Sequence, residues 1–223
     1  MKLPPPLVIL SPGDTVIGAE ALLLQVVDAL AASAAQTGSP RAGLLLREPE
    51  LEDGLLLELA SALRARLGPL VWLGLHDRIH LVPAAQADGV HLGFRSLTPA
   101  VARTLVAAHV AVGFSSHAGD GATQVAGSDY RFLSPLHPVE GKREPLGYGG
   151  LEREGARFEV PFWALGGITA ASAQPARQAG ASGLVVRRAV FSAPDPTAAL
   201  EELLEACSEF PLTNPVPNLP PAP

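Results

Sequence analysis

The sequence predicts a single (β/α)8 (TIM) barrel with a parallel eight-stranded sheet, and three observations carry that prediction. Eight short, nearly all-apolar runs recur along the chain, amphipathic segments of helical period separate most of them, and Gly, Pro or Asp marks the joints. A parallel strand is covered on both faces, so it reads as a continuous apolar run. Strands in strict alternation with helices make a parallel sheet, and eight is the number that closes one on itself. A doubly wound open sheet fits the same alternation and is the alternative fold.

In chain order the strand-length runs are residues 7–10, 43–46, 70–75, 89–92, 110–114, 130–133, 162–165 and 183–186. Residues 19–35 carry Leu22, Val26, Val27 and Leu30 at helical spacing, and residues 52–67 carry Leu55, Leu56, Leu59, Leu63 and Leu67 in the same way. A helix over 98–108 opens with Thr98-Pro99, an N-cap followed by proline at the first helical position. One over 171–179 stops at Gly180, and one over 197–208 follows a proline. The barrel is expected over residues 1–210. Residues 211–223 hold six prolines in thirteen positions and are expected to form an extended tail.

Composition narrows the function classes. The 223 residues are 48% hydrophobic and 17% charged, enough apolar content to bury a core without disulfides or metals. A formal net charge of −6 and the lack of any basic run argue against nucleic acid, whose binding is dominated by phosphate neutralisation. The lone cysteine, Cys207, excludes an intrachain disulfide and reads as core packing. Pro4, Pro5 and Pro6 interrupt the place where a signal peptide would be apolar, and no stretch approaches the ~20 apolar residues of a membrane span. No membrane partner and a cytoplasmic location are therefore expected.

In a parallel barrel, chemistry sits where strands end and loops begin. The polar residues at those points are Ser11 and Asp14, Arg47 and Glu48, His76 and Asp77, His91, then Ser115, Ser116 and His117, then Ser134 and His137, and finally Arg187 and Arg188. Four of the six histidines fall in this set, more than scatter would give. Gly166-Gly167 follows the seventh strand. Glycines let backbone N–H groups approach an anion, and loops seven and eight are the usual phosphate site of this fold. Of the adjacent Arg187 and Arg188, only one can face inward. His91 reads most simply as a hydrogen-bonded structural histidine, and Arg47 as a pocket residue or the partner of Glu48 or Asp77.

Several strings together resemble a known family. Ala87-Asp88-Gly89-Val90-His91-Leu92-Gly93, Val112-Gly113-Phe114-Ser115-Ser116-His117, Ser128-Asp129-Tyr130 and Ala164-Leu165-Gly166-Gly167-Ile168 occur in the order and spacing of thiamine phosphate synthase and its sister, thiazole tautomerase. Leu46-Arg47-Glu48 and His76-Asp77-Arg78 match upstream, and the agreement runs from about Leu7 to Leu204. The resemblance implies a (β/α)8 barrel that joins a pyrimidine diphosphate to a thiazole phosphate, with Mg2+ holding the diphosphate. It implies substrate contacts at Arg47, His76, Asp77, Ser115 and His117, a metal ligand at Asp77, and phosphate contacts at Gly166, Gly167 and Arg188. Lys142 is implied as a catalytic residue, and a homodimer is among the assemblies left open.

The chain departs from the family pattern at specific points. Phe94 and Ser96 stand where the family has glutamine and a magnesium-binding aspartate; Leu45 and Pro49 stand for glutamine and lysine; His76 stands for asparagine. The family's Thr-x-Thr-Lys loop reads Val139-Glu140-Gly141-Lys142. The tautomerase branch carries a catalytic histidine on strand six. Pro135 occupies that position here, and His137, two residues on, shares the strand face by alternation. His137 is accordingly the expected proton-transfer group, and residues 142–150 resemble that branch's glycine-containing lid. Two main readings result: a thiamine-biosynthesis enzyme binding thiazole phosphate, synthase-like or tautomerase-like, and a catalytically impaired phosphate-ligand-binding or regulatory protein. A phosphate-sugar isomerase is a third.

Overall fold

The computed structural model describes residues 1–13, 16–38 and 40–213. Asp14 and residues 214–223 of the expected tail lie outside the described residues. Eight parallel strands close in chain order: β1 (Leu7–Leu10), β2 (Ala42–Leu46), β3 (Trp72–His76), β4 (Gly89–Leu92), β5 (Ala111–Ser116), β6 (Tyr130–Leu133), β7 (Phe162–Leu165) and β8 (Gly183–Val186). Leu7–Leu10 pairs with both β2 and β8, which closes the ring. The shell comprises α1 (Val16–Thr37), α2 (Asp53–Leu67), α3 (Pro99–Leu105), α4 (Ala122–Val125), α5 (Gly147–Gly155), α6 (Ala173–Gln178), α7 (Arg188–Phe191) and α8 (Pro196–Ala206). The β3–β4 connection holds only a 3-10 turn, Ile79–Leu81.

Side-chain alternation sorts each strand into two cores. Leu7 and Ile9, Leu44 and Leu46, Leu73 and Leu75, Val90 and Leu92 point outward to the helices. Val8, Leu10, Leu45, Trp72, Ala111, Tyr130, Phe132, Trp163 and Val185 fill the interior. The interior is packed chiefly with rings. Trp72 and Trp163 meet Tyr130 edge-on at centroid distances of 6.2 and 5.8 Å. Glycine makes the space: a Cβ on Gly113 would fall 2.1 Å from the Tyr130 ring. The N-terminal segment closes the bottom, where the indole N–H of Trp163 donates to the Pro5 carbonyl at 2.7 Å and that of Trp72 to the Lys2 carbonyl at 3.1 Å.

One expectation needs correction. Gly18–Thr37 is an apolar helix of 20 residues with mean hydropathy 1.4, long enough by composition to span a membrane. Here α1 lies in the shell, with Leu23, Val26, Val27 and Leu30 buried and with α2, α8 and β2 as neighbours. The core contacts account for its apolar face.

Candidate functional site

Parity along the strands decides which side chains reach the mouth. In β2, Leu45 points inward, so Arg47 does too. In β3, Trp72 leads to His76, and in β5, Ala111 leads to Ser115. In β8, Val185 leads to Arg187 rather than Arg188. Arg188 is the exposed first residue of α7, while Arg187 is half-buried. The Nη1 atoms of Arg47 and Arg187 each lie 3.5 Å from the point a Cβ would occupy on Gly13. Below them Ser11 is buried, and its hydroxyl accepts the Arg47 N–H at 2.8 Å. The Glu48 carboxylate accepts the Gly13 N–H at 3.1 Å.

On the β3–β5 side, four polar groups form a connected set. His76 Nδ1 lies 3.3 Å from Asp77 Oδ2, and the Ser96 hydroxyl donates to Asp77 Oδ1. The same hydroxyl accepts the Gly93 N–H at 2.8 Å. Burial raises the Asp77 pKa, but the hydrogen bonds from His76 and Ser96 outweigh it and hold the carboxyl below its usual range. His91 is buried, stacks on Phe132 at 4.0 Å, and shares a 2.9 Å hydrogen bond with Ser115 Oγ through Nε2. Burial, reinforced by neighbouring His76, pushes its pKa well below 6.5 and keeps the ring neutral. Its Nδ1 has no partner among the described residues. His91 is thus held as a hydrogen-bonded interior histidine.

His117 and Lys142 come from facing loops. The His117 N–H donates to Asp120 Oδ2 at 2.8 Å. Burial lowers the His117 pKa against the pull of Asp120, and the charges of Arg143 and Lys142 lower it further. Lys142 itself is exposed.

His137 is reached by a different route from the one its spacing suggests. Strand β6 ends at Leu133, so strand alternation does not extend to residue 137. The main chain instead runs beside the end of β7: the Leu136 N–H donates to the Leu165 carbonyl at 2.9 Å and the His137 N–H to the Gly166 carbonyl at 3.0 Å. The His137 ring is then flanked by Tyr148 OH at 3.3 Å and Ser172 Oγ at 3.5 Å from Nε2. Gly167, at φ 67°, must be glycine, since a Cβ there would fall 2.7 Å from His137 Cβ. The segment read as a lid is helical from Gly147, which is what delivers Tyr148. Among the described residues, the amides of Gly167, Ile168, Arg187 and Arg188 donate no loop or side-chain hydrogen bond.

These residues do not fit a magnesium ion. A hard divalent cation takes oxygen ligands, usually several carboxylates. Asp77 has both oxygens engaged by His76 and Ser96, and among the described residues no three His, Cys, Asp or Glu side chains come together to hold a metal. A cavity of about 580 Å³ lies at the opposite end of the barrel beside Lys2, Asp88 and Val110. Lys2 and Arg64 are both ion-paired to Asp88 there, so that space is structural in its chemistry.

Ser96, Arg187 and Tyr148 are the mouth residues that sequence reasoning missed or ranked too low. Parity from Gly183 and Val185 was the available signal for Arg187. Ser96 carried one in its place at the family's magnesium-binding aspartate, whereas Tyr148, delivered by the first turn of α5, carried none.

Fold and site together define a (β/α)8 barrel with a polar ring of Arg, His, Asp and Ser at the C-terminal ends of its strands. A family model described as thiamine monophosphate synthase matches residues 12–190, and the chain belongs to that family. It is 32% identical over 167 residues to the thiamine-phosphate synthase of Xanthobacter autotrophicus, covering 72% of this chain and 79% of that protein. It is 35% identical over 136 residues to that of Salinispora arenicola, covering 59% and 65%. Among solved structures, thiamine phosphate pyrophosphorylase from Pyrococcus furiosus superposes with a TM-score of 0.76 at 24% identity, covering 92% and 96% of the two chains. A 3-hexulose-6-phosphate synthase superposes at 0.60 with 21% identity, covering 92% and 99%, and shares the fold alone. Family membership places the chain among thiamine-biosynthesis barrels.

Proposed function

We propose that this barrel binds a thiazole phosphate at the β6–β7–β8 side of its mouth and moves a proton on it, as a thiazole tautomerase does. One observation carries the reading: the His137 ring stands over Gly167 with Tyr148 OH and Ser172 Oγ at its Nε2. The free amides after β7 and β8 supply an anion cradle, and His137 is the side chain beside it placed to pass a proton between two positions of the ligand. The step balances within one ligand: a proton leaves one ring position and returns at another, with no second reactant. Lys142 and His117, from the facing loops, would lie on the solvent side of the bound ligand.

A second reading has its own observation. The Ser96–Asp77–His76 contacts occupy the carboxylate that a synthase would give to magnesium, which favours a phosphate-ligand-binding or regulatory protein without turnover. Calorimetry with thiazole phosphate, and then a tautomer-conversion assay, separates the two. Conversion that falls at least a hundredfold in His137→Ala supports the enzyme; this is the usual scale for a general acid–base group, ~10²–10⁴. Tight binding without conversion supports the binding protein. Robust thiamine phosphate formation with Mg2+ would sink both in favour of the synthase.

A further inference from the structure

We infer that Arg47 and Arg187 form an anion clamp across the β1, β2 and β8 side of the mouth, which takes a phosphoryl group of the ligand without a divalent cation. The two guanidinium groups reach the same point from opposite neighbours of β1, each with Nη1 3.5 Å from the Cβ position of Gly13. They therefore stand within twice that distance of each other. Neither has an ion-pair partner or a side-chain hydrogen bond from its guanidinium among the described residues, whereas Arg64, Arg66, Arg78, Arg103 and Arg157 each do. Both are half-buried. Two like charges converging where water is partly excluded repel, and an anion between them reverses the sign of that interaction.

Local geometry keeps the space open for such an anion. Gly13, in the turn after β1, is buried at φ 95° and puts no side chain of its own between the arginines. Its N–H is held by Glu48, which turns that carboxylate to the main chain. A guanidinium presents paired N–H donors in a plane, and that fork matches phosphoryl oxygens. On the other side of the mouth, Ser96 stands where a second carboxylate would be needed for a metal and ties down the first. The charge that a metal would supply to a phosphorylated ligand is supplied here by a second arginine.

The inference rests on reading the mouth as a phosphate-ester site, and the test keeps the two separable. Calorimetric titration of the full chain with inorganic diphosphate, and separately with inorganic phosphate, is run in EDTA and again with Mg2+. The clamp predicts binding in EDTA that Mg2+ changes less than twofold. Arg187→Gln and Arg47→Gln should each weaken it at least tenfold, Arg187→Lys less so, and Arg177→Gln, exposed on α6 away from the mouth, hardly at all. Thermal melting of each variant separates a lost contact from a lost fold. Whichever anion binds more tightly identifies the diphosphate or the monophosphate ester as the ligand. Binding that appears only with Mg2+, or that survives Arg187→Gln unchanged, overturns the clamp. If the inorganic anions bind through both arginines but thiazole phosphate does not bind, the clamp stands and the proposed function falls. If thiazole phosphate binds and converts while Arg187→Gln has no effect on any anion, the function stands and the clamp falls.

Discussion

At the scale of single residues, the mouth is governed by which groups can hold charge. His91 cannot: burial keeps it neutral in the fold, with a pKa well below 6.5. A histidine whose folded value is depressed favours the fold while neutral. Its contribution is full above the unfolded value near 6.5 and disappears as pH falls through the folded one. Thermal melting between pH 7 and 5 should show stability falling with acid, and His91→Gln should flatten that limb. An unchanged limb would mean that other groups set the acid response. Asp77 behaves in the same direction in a lower window: its carboxyl is depressed, so its share is lost as pH drops below 3.8. Ser96 is the residue that decides its partner. Ser96→Asp would place a second carboxylate beside it, raising the Asp77 pKa by like-charge repulsion and creating a pair of oxygen ligands. Magnesium titration should then give measurable binding that the parent chain lacks.

At the scale of elements, strands were legible and loops were not, for a physical reason. A buried parallel strand writes its boundaries as an apolar run, so β1, β4, β6, β7 and β8 match the runs read from sequence residue for residue. The mouth depends on the loop after each strand, where one peptide geometry redirects the rest of the segment. Alternation correctly aims Arg47, His76 and Ser115 inward but fails at His137, because β6 stops at Leu133 and the chain turns along β7. The same strand holds an arginine that no pattern foretold. Arg131 is fully buried on the outer face of β6, where it donates to the carbonyls of Gly155 at 2.9 Å and Val160 at 3.2 Å and lies over Phe158 at 5.0 Å. It satisfies the carbonyl that ends α5, which no helical N–H can reach, and that of Val160 ahead of β7. Arg131→Met keeps the apolar stem and orphans those acceptors, so it should destabilise the fold by about 3 kcal/mol, the upper end for a charge-assisted buried bond. Urea denaturation measures this. Because α5 carries Tyr148, the variant should also lose part of the His137-dependent activity.

At the scale of the whole molecule, the two ends of the barrel do different work. The mouth carries polar groups that tolerate solvent, while the interior and bottom carry the rings that hold the strands in register. Trp163 sits at the centre of that division: fully buried, edge-on to Tyr130, and anchored by its N–H to Pro5 across the bottom. Removing it takes away a large apolar side chain, leaves a cavity between β7 and β8, and cuts the link to the N-terminal segment. Trp163→Ala should therefore cost about 3–5 kcal/mol, the range for a buried aromatic in a core that cannot collapse around the loss. Trp163→Phe, which keeps most of the volume and gives up the Pro5 bond, should cost clearly less. Both substitutions lie well below the mouth, so below its melting temperature Trp163→Phe should bind inorganic diphosphate as the parent chain does. If the conservative variant loses anion binding while its unfolding curve stays close to the parent's, the ends of the barrel are coupled through the ring stack Trp163–Tyr130–Phe132–His91, whose centroids are spaced at 5.8, 5.4 and 4.0 Å. Independence of the two ends would instead mean that the stack fixes the backbone and passes nothing to the mouth.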